Sequence, residues 1–275
     1  MLAGDLAQAL DGKNASGNIS PSELAGDLAQ ALDPVLFAKE ALSFTPDPWQ
    51  EQALRWSGKR LLLNCSRQSG KSTTAAILAL HRAIFYPSSL VLLVSPSLRQ
   101  SSELFRKVRD FLRVLPAEQQ PDLIEDNKLS FTMKNKSRII SLPGSEGTIR
   151  GFSGANLIIE DEAARVPDDL YFAVRPMLAV SGGRLILMST PFGKRGHFFK
   201  EWTEGGDTWE RLMITAHDCP RISPEFLEEE RQALGEWWFK QEYLCEFVET
   251  EDQVFTYDQV MTAITEEVKP LFFEQ

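Results

Sequence analysis

Cys65-Ser66-Arg67-Gln68-Ser69-Gly70-Lys71-Ser72 is the stretch on which the fold turns. It follows the apolar run Arg60-Leu61-Leu62-Leu63-Asn64 and opens a helical pattern through Ala75, Leu78 and His81. A phosphate loop reads G-x-x-x-x-G-K-[ST], and here Cys65 stands at the first glycine. The chemistry tolerates that loss. Successive backbone N–H groups and the helix N-terminus face the phosphates, Lys71 neutralises their charge, and the Ser72 hydroxyl is available to Mg²⁺. Taken alone, Gly-Lys-Ser also describes a surface turn that caps a helix; the strand–turn–helix context favours the nucleotide reading.

Working outward, short apolar runs alternate with helical stretches. Leu90–Ser95 reads as a second buried strand, followed by a basic amphipathic helix over about 98–114. Two short strands are predicted near 129–133 and 137–142, then a strand at Leu157–Asp161 and a helix near 168–178. Strand Arg184–Ser189, a helix near 196–203, strand 211–216 and two C-terminal helices complete the pattern. Strands alternating with helices predict an α/β fold, a mainly parallel sheet with helices on both faces. Ligands of such sheets sit beyond the carboxyl ends of the strands.

Candidate chemical residues fall at those ends. Leu157-Ile158-Ile159-Glu160-Asp161-Glu162 is a buried strand ending in adjacent acids, a costly arrangement unless a cation is near. Asp161 suits Mg²⁺, and Glu162 suits the polarising of an attacking water. Glu160 interrupts the apolar run and makes the choice of acids less clean; a solvated acidic turn is the plain alternative. Met188-Ser189-Thr190-Pro191 ends the next long strand, where hydroxyls can sense a γ-phosphate or the strand can simply stop at proline. In Asp47-Pro48-Trp49-Gln50, Asp47 and Gln50 have capping-box spacing with Pro48 at the first helical position. The functional alternative is an adenine-reading Gln50 beside an aromatic Trp49.

In this order, Pro48-Trp49-Gln50, SRQSGKS (66–72), TIRG (148–151), IIEDEAA (158–164), MSTPFG (188–193) and QEYLCEF (241–247) resemble the ATPase domain of the large terminase subunit of tailed double-stranded DNA phages, over roughly residues 40–260. The resemblance implies a P-loop NTPase of the additional-strand, catalytic-glutamate type, hydrolysing ATP with Mg²⁺ to drive double-stranded DNA into a procapsid. It implies nucleotide contacts from Trp49, Gln50 and the run Ser66, Arg67, Gln68, Ser69, Gly70, Lys71, Ser72 and Thr73. It further implies Mg²⁺ at Ser72 and Asp161, catalysis by Glu162, coupling through Ser189 and Thr190, and arginine fingers at Arg67 and Arg150. In that family the loop typically carries an arginine and departs from the standard glycine pattern, so Cys65 is in keeping. Implied partners are double-stranded DNA, further copies in a ring on a portal, the portal protein and a small terminase subunit, in the cytoplasm of a bacterial host. A helicase-like ATPase, or a nucleotide-binding assembly protein without turnover, is the alternative. Intact Lys71, Asp161 and Glu162 speak against the latter.

The net charge of −10 disfavours nucleic acid until its distribution is read. Residues 1–33 carry −4 and residues 225–275 carry −11, which leaves the stretch between them at +5. Arg99, Arg106, Lys107, Arg109 and Arg113 on one helix, and Lys134, Lys136 and Arg138 on a polar hairpin, either meet phosphates or form solvated faces. No apolar run reaches the roughly 18 residues of a membrane span, and three scattered cysteines fit reduced thiols. LAGDLAQALD occurs at 2–11 and again at 24–33, so residues 1–33 are expected to form a duplicated, mobile arm. An ATPase domain over 34–250 and an acidic tail over 251–275 with no nuclease domain are expected to follow. His81, His197 and His217 are isolated and read as structural.

Overall fold

The computed structural model describes residues 21–144, 151–249 and 257–264. Helix α1 (Pro21–Leu32) leads through a short helical turn, Pro34–Leu36, and a π-helical turn, Phe37–Ala41, to α2 (Pro48–Arg55). Then come β1 (Arg60–Cys65), α3 (Lys71–Phe85), β2 (Leu90–Ser95) and α4 (Leu98–Val114). Three strands follow, β3 (Leu123–Asn127), β4 (Ser130–Met133) and β5 (Arg138–Pro143). The remainder is β6 (Leu157–Asp161), α5 (Asp168–Val174), β7 (Arg184–Ser189), α6 (Gly196–Glu204), β8 (Glu210–Ile214), α7 (Pro224–Tyr243) and α8 (Tyr257–Ala263).

These eight strands form one sheet in the order β3-β4-β5-β2-β6-β7-β1-β8. Pairing is parallel from β5 across to β8, and the pairs β3–β4 and β4–β5 at the other edge are antiparallel. Strand β7 lies between the loop-bearing β1 and the acid-bearing β6, which is the additional-strand arrangement. Register brings Asn64 beside Ser189 and Met188 beside Asp161, so the three carboxyl ends finish level.

The apolar runs are continuous because both faces of the sheet are covered. Leu61, Leu63, Val91, Leu93 and Ile159 pack on one side with α2, α3 and α4, while Leu62, Leu92, Ile158 and Leu187 pack on the other with α5 and α6. Each such fully buried side chain contributes about 1.5–3 kcal/mol. The same alternation sends the Asp161 side chain toward α3 and the Glu160 side chain toward α6.

Three expectations are adjusted. Strand β3 has no apolar alternation (Leu-Ile-Glu-Asp-Asn, mostly exposed) and is held by backbone pairing to β4, by Leu123 against the core and by Arg109 on Asp126. Helix α5 stops at Val174 and continues as a 3₁₀ turn, Arg175–Leu178, because Pro176 removes a ladder donor. The second copy of the repeat is docked rather than mobile. Gln30 and Ala31 are buried, the Gln30 carbonyl lies 3.0 Å from His81 Nε2, and Asp33 caps Val35 N at 2.9 Å while pairing with Arg55 at 2.8 Å. The first copy lies outside the described residues.

Candidate nucleotide site

At the level end of β1, the chain turns into α3 through a loop stitched by its own backbone. Ser66 N donates to Ile214 O (2.8 Å), Arg67 N to Glu242 O (2.9 Å), and Ser69 Oγ to Ser66 O (2.9 Å). Gln68 (φ 59°) and Gly70 (φ 99°) take left-handed conformations. A Cβ on Gly70 would also come within 2.9 Å of Gln50 Nε2, so glycine is required there. Cys65 is fully buried in the core, and burial pushes its thiol up to about 12, an inert filler at the position of the missing glycine. The N–H groups of Lys71 and Ser72 fall in the first turn of α3, where the helix offers no acceptor and an anion is favoured.

Across the cleft, Glu162 follows β6 in a left-handed conformation (φ 55°, ψ 39°), on the order of 1–3 kcal/mol of strain for a non-glycine residue. That geometry turns its carboxylate back over the loop. Lys71 Nζ lies 2.9 Å from Glu162 Oε1, and Arg165 Nη1 lies 3.1 Å from Glu162 Oε2. Burial alone would lower the Lys71 pKa, but Glu162 and Asp161 outweigh it and hold the ammonium above its ordinary value. Burial pushes Asp161 up to about 6, against the pull of Lys71. Ser72 Oγ is 3.4 Å from Asp161 Oδ2, so two hard oxygens face one point, a donor set that fits Mg²⁺.

The cavity between these elements has a volume of about 470 Å³ and is lined by residues 67–73, Gln100, Lys107, Glu162, Arg165, Thr190 and Glu242. Arg67, Gln68, Ser69, Gly70, Lys71, Ser72, Thr73, Glu162 and Thr190, expected at a nucleotide site from sequence, all line it. Ser66 and Ser189 are buried just beneath. Gln50 is reached from below: its Oε1 accepts from Asp47 N (2.9 Å), and its Nε2 donates to Thr74 Oγ1 (3.1 Å). The capping box is therefore real, and the same side chain supports the end of the loop. Trp49 is a core residue. Arg150 lies outside the described residues.

Four lining or supporting side chains carry no site signal that the sequence analysis recognises. Arg165 sits three residues after Glu162, an i,i+3 spacing that is readable; Glu242 lies in the QEYLCEF segment of the resemblance, which gives it no site role. Gln100 lies on the first turn of α4. Arg221 donates to Ser69 O (2.9 Å) and pairs with Asp47 at 2.6 Å, clamping the loop to α2. Lys107, grouped by sequence with the basic face of α4, instead turns toward this cavity, and burial lowers its pKa despite the Asp161 carboxylate. Arg106, Arg109, Arg113 and Lys134 are paired with Glu103, Asp126, Asp110 and Asp122.

Glu160 and His197 form a separate buried cluster on the opposite face. His197 Nε2 is 2.6 Å from Glu160 Oε1, its Nδ1 is 3.0 Å from Asp168 Oδ1, and its ring stacks on Tyr171 at 4.3 Å. Burial disfavours the imidazolium, but the bonds and charges of Glu160 and Asp168 outweigh it and raise the pKa above 6.5. A raised native pKa gives stability that is complete below the unfolded value of about 6.5 and is lost as pH rises through the native value. The melting temperature of the parent should therefore fall as pH rises above about 6.5. His197→Gln should flatten that slope and lower the midpoint by a few degrees near pH 6, as measured by calorimetry. An unchanged slope would mean that His197 is neutral in the fold.

The loop on β1, the acids on β6 and the intervening β7 define a P-loop NTPase. Residues 62–261 match the family described as terminase large subunit, T4likevirus-type, N-terminal, and the chain belongs to that family. It is 27% identical over 252 residues to the large terminase subunit of Thermus virus P23-45, covering 79% of this chain and 52% of that protein. It thus spans about half the length of the curated relatives it matches. The large terminase ATPase domain of Thermus phage P74-26 superposes with a TM-score of 0.66 at 24% identity, covering 76% of this chain and 97% of that one. The large terminase of another thermophilic bacteriophage, solved in complex with ADP, gives 0.56 at 14% identity, over 80% of this chain and 53% of that one. At these identities the structural likeness speaks for the fold.

Proposed function

We propose that this chain is the ATP-hydrolysing motor domain of a viral DNA-packaging terminase. The observation that carries the reading is the convergence of Lys71, Ser72 and Glu162 on one cavity at the level strand ends, with buried Asp161 against Ser72, in a chain of this family. In this reading the α3 N-terminus and Lys71 hold the phosphates, and Gln50 braces the loop below them. Ser72 and Asp161 would hold Mg²⁺, which when bound supplies charge neutralisation across the phosphates. Glu162 orients and polarises the attacking water. Arg67, 66% exposed at the rim, is a candidate arginine finger, as is Arg150. Thr190 and Ser189, between the two catalytic strands, are placed to transmit loss of the γ-phosphate. Double-stranded DNA, further copies in a ring, a portal and a small subunit are the proposed partners, in the cytoplasm of a bacterial host.

The test is a steady-state phosphate-release assay on the purified chain with ATP, with and without Mg²⁺ and linear double-stranded DNA. Mg²⁺-dependent turnover is expected, slow for the isolated chain. DNA binding should be weak and should fall steeply with salt, as for phosphate-directed contact. Tight nucleotide binding with no turnover under assembling conditions would favour an assembly protein instead.

A further inference from the structure

Arg165 is where three separate segments meet. Its Nη1 reaches Glu162 Oε2 at 3.1 Å, its Nη2 reaches Glu242 Oε1 at 3.6 Å, and its guanidinium lies 4.6 Å over the ring of Phe192, just past the Ser189-Thr190 strand end. Glu242, with a side chain only 8% exposed, is itself doubly tied to the phosphate loop. Its carbonyl accepts from Arg67 N at 2.9 Å, and its carboxylate lies 3.5 Å from Arg67 Nε. The neighbouring Gln241 donates to Glu242 Oε1 (3.3 Å) and accepts from Gly193 N (3.4 Å). A buried carboxylate is costly unless it is paired and hydrogen-bonded, and Glu242 meets that condition through two arginines from two catalytic segments.

We propose that Arg165 is a positioning residue for the Glu162 carboxylate, and that Glu242 is the anchor that fixes Arg165. This rests on the reading of Glu162 as the residue that orients water. Each Glu162 oxygen holds one cation: Oε1 has Lys71, and Oε2 has Arg165. Lys71 is a point charge on a flexible stem and follows phosphates when they enter, whereas the guanidinium is a planar fork held on both sides and stacked. Nucleotide therefore releases Oε1 for water, while Oε2 stays fixed. Arg67 shares the same anchor, so its withdrawal toward phosphate leaves Glu242 wholly to Arg165 and tightens the grip on Glu162.

The experiment compares Arg165→Ala, Arg165→Lys, Glu242→Gln and the double variant Arg165→Ala/Glu242→Gln with the parent chain. It reads kcat and KM for ATP, affinity for a fluorescent ATP analogue, and melting temperature. A base that is present but misoriented loses part of the roughly 10²–10⁴-fold that general base catalysis supplies. Arg165→Ala should accordingly lower kcat by about 10- to 100-fold, with KM and analogue affinity changed less than about threefold. Arg165→Lys should recover stability but little of the rate, because an ammonium cannot span both carboxylates. Glu242→Gln should lower kcat in the same manner but less, and the double variant should be no slower than Arg165→Ala alone. Losses that multiply in the double variant, a change confined to KM, or parent kcat in either single variant would overturn the assignment while leaving the ATPase reading intact. A parent chain that binds no nucleotide would overturn both.

Discussion

Glu162→Gln is expected to bind ATP at least as tightly as the parent and to lose about 10²–10⁴-fold in kcat, the usual worth of a general base. Lys71 and Arg165 both pair with Glu162 at the cavity, and the charge of Asp161 also acts on Lys71. Removing one negative charge makes the pocket more attractive to a polyanion, so affinity is preserved or gained. Volume and backbone strain at residue 162 are nearly unchanged, which separates loss of chemistry from loss of fold. The neighbouring acids do not substitute. Glu160 is fully buried on the α6 side of the sheet and committed to His197, while Asp161 lies beside Ser72. Equilibrium binding with a fluorescent analogue, together with phosphate release, checks both halves. A Glu162→Gln chain that hydrolyses ATP at the parent rate would remove Glu162 from the mechanism.

What is legible in the sequence follows physical lines. Strands β1, β2, β6 and β7 are readable because both faces of each are buried and each carries an unbroken apolar run of three residues or more. Strand β3 is not, because an edge strand held by backbone pairing needs no apolar side chains. The phosphate loop and the acid pair are visible as local patterns at strand ends. Gln50 reads two ways, and its geometry makes the capping box and the loop support one arrangement. The ambiguity among Glu160, Asp161 and Glu162 does not resolve from spacing alone. It yields to the alternation of β6, which parts Glu160 from Asp161, and to the left-handed turn at Glu162. The loop contacts of Glu242 and Arg221 are out of reach, since each comes from more than 150 residues away and such closure leaves no periodic trace, even though Glu242 lies in a segment of the resemblance. Lys107 is misgrouped for a related reason. A helix face identifies neighbours on the helix, but not the cavity toward which one long side chain bends.

Lys71→Ala is expected to weaken ATP binding by about 100-fold or more, the scale of one lost charge-assisted contact of roughly 1.5–3 kcal/mol together with the unpaired charge it leaves. The side chain is 11% exposed, and the charges of Glu162 and Asp161 hold its pKa above the ordinary value despite burial. Removing it leaves Asp161 with less compensation and raises a carboxyl that burial already pushes to about 6, so the proposed Mg²⁺ oxygens become harder to ionise. The two deficits act in the same direction on nucleotide affinity. Stability should respond less. Glu162 keeps Arg165, so the loss falls well short of the about 3–5 kcal/mol of a broken buried pair, and the melting temperature should drop by only a few degrees. Lys71→Met separates charge from packing because it keeps most of the stem. Calorimetric titration with ATP and Mg²⁺ should show the same affinity loss in both variants. If Lys71→Met binds ATP within a few-fold of the parent, the cation is not what holds the phosphates, and the loop's backbone N–H groups must carry the binding alone.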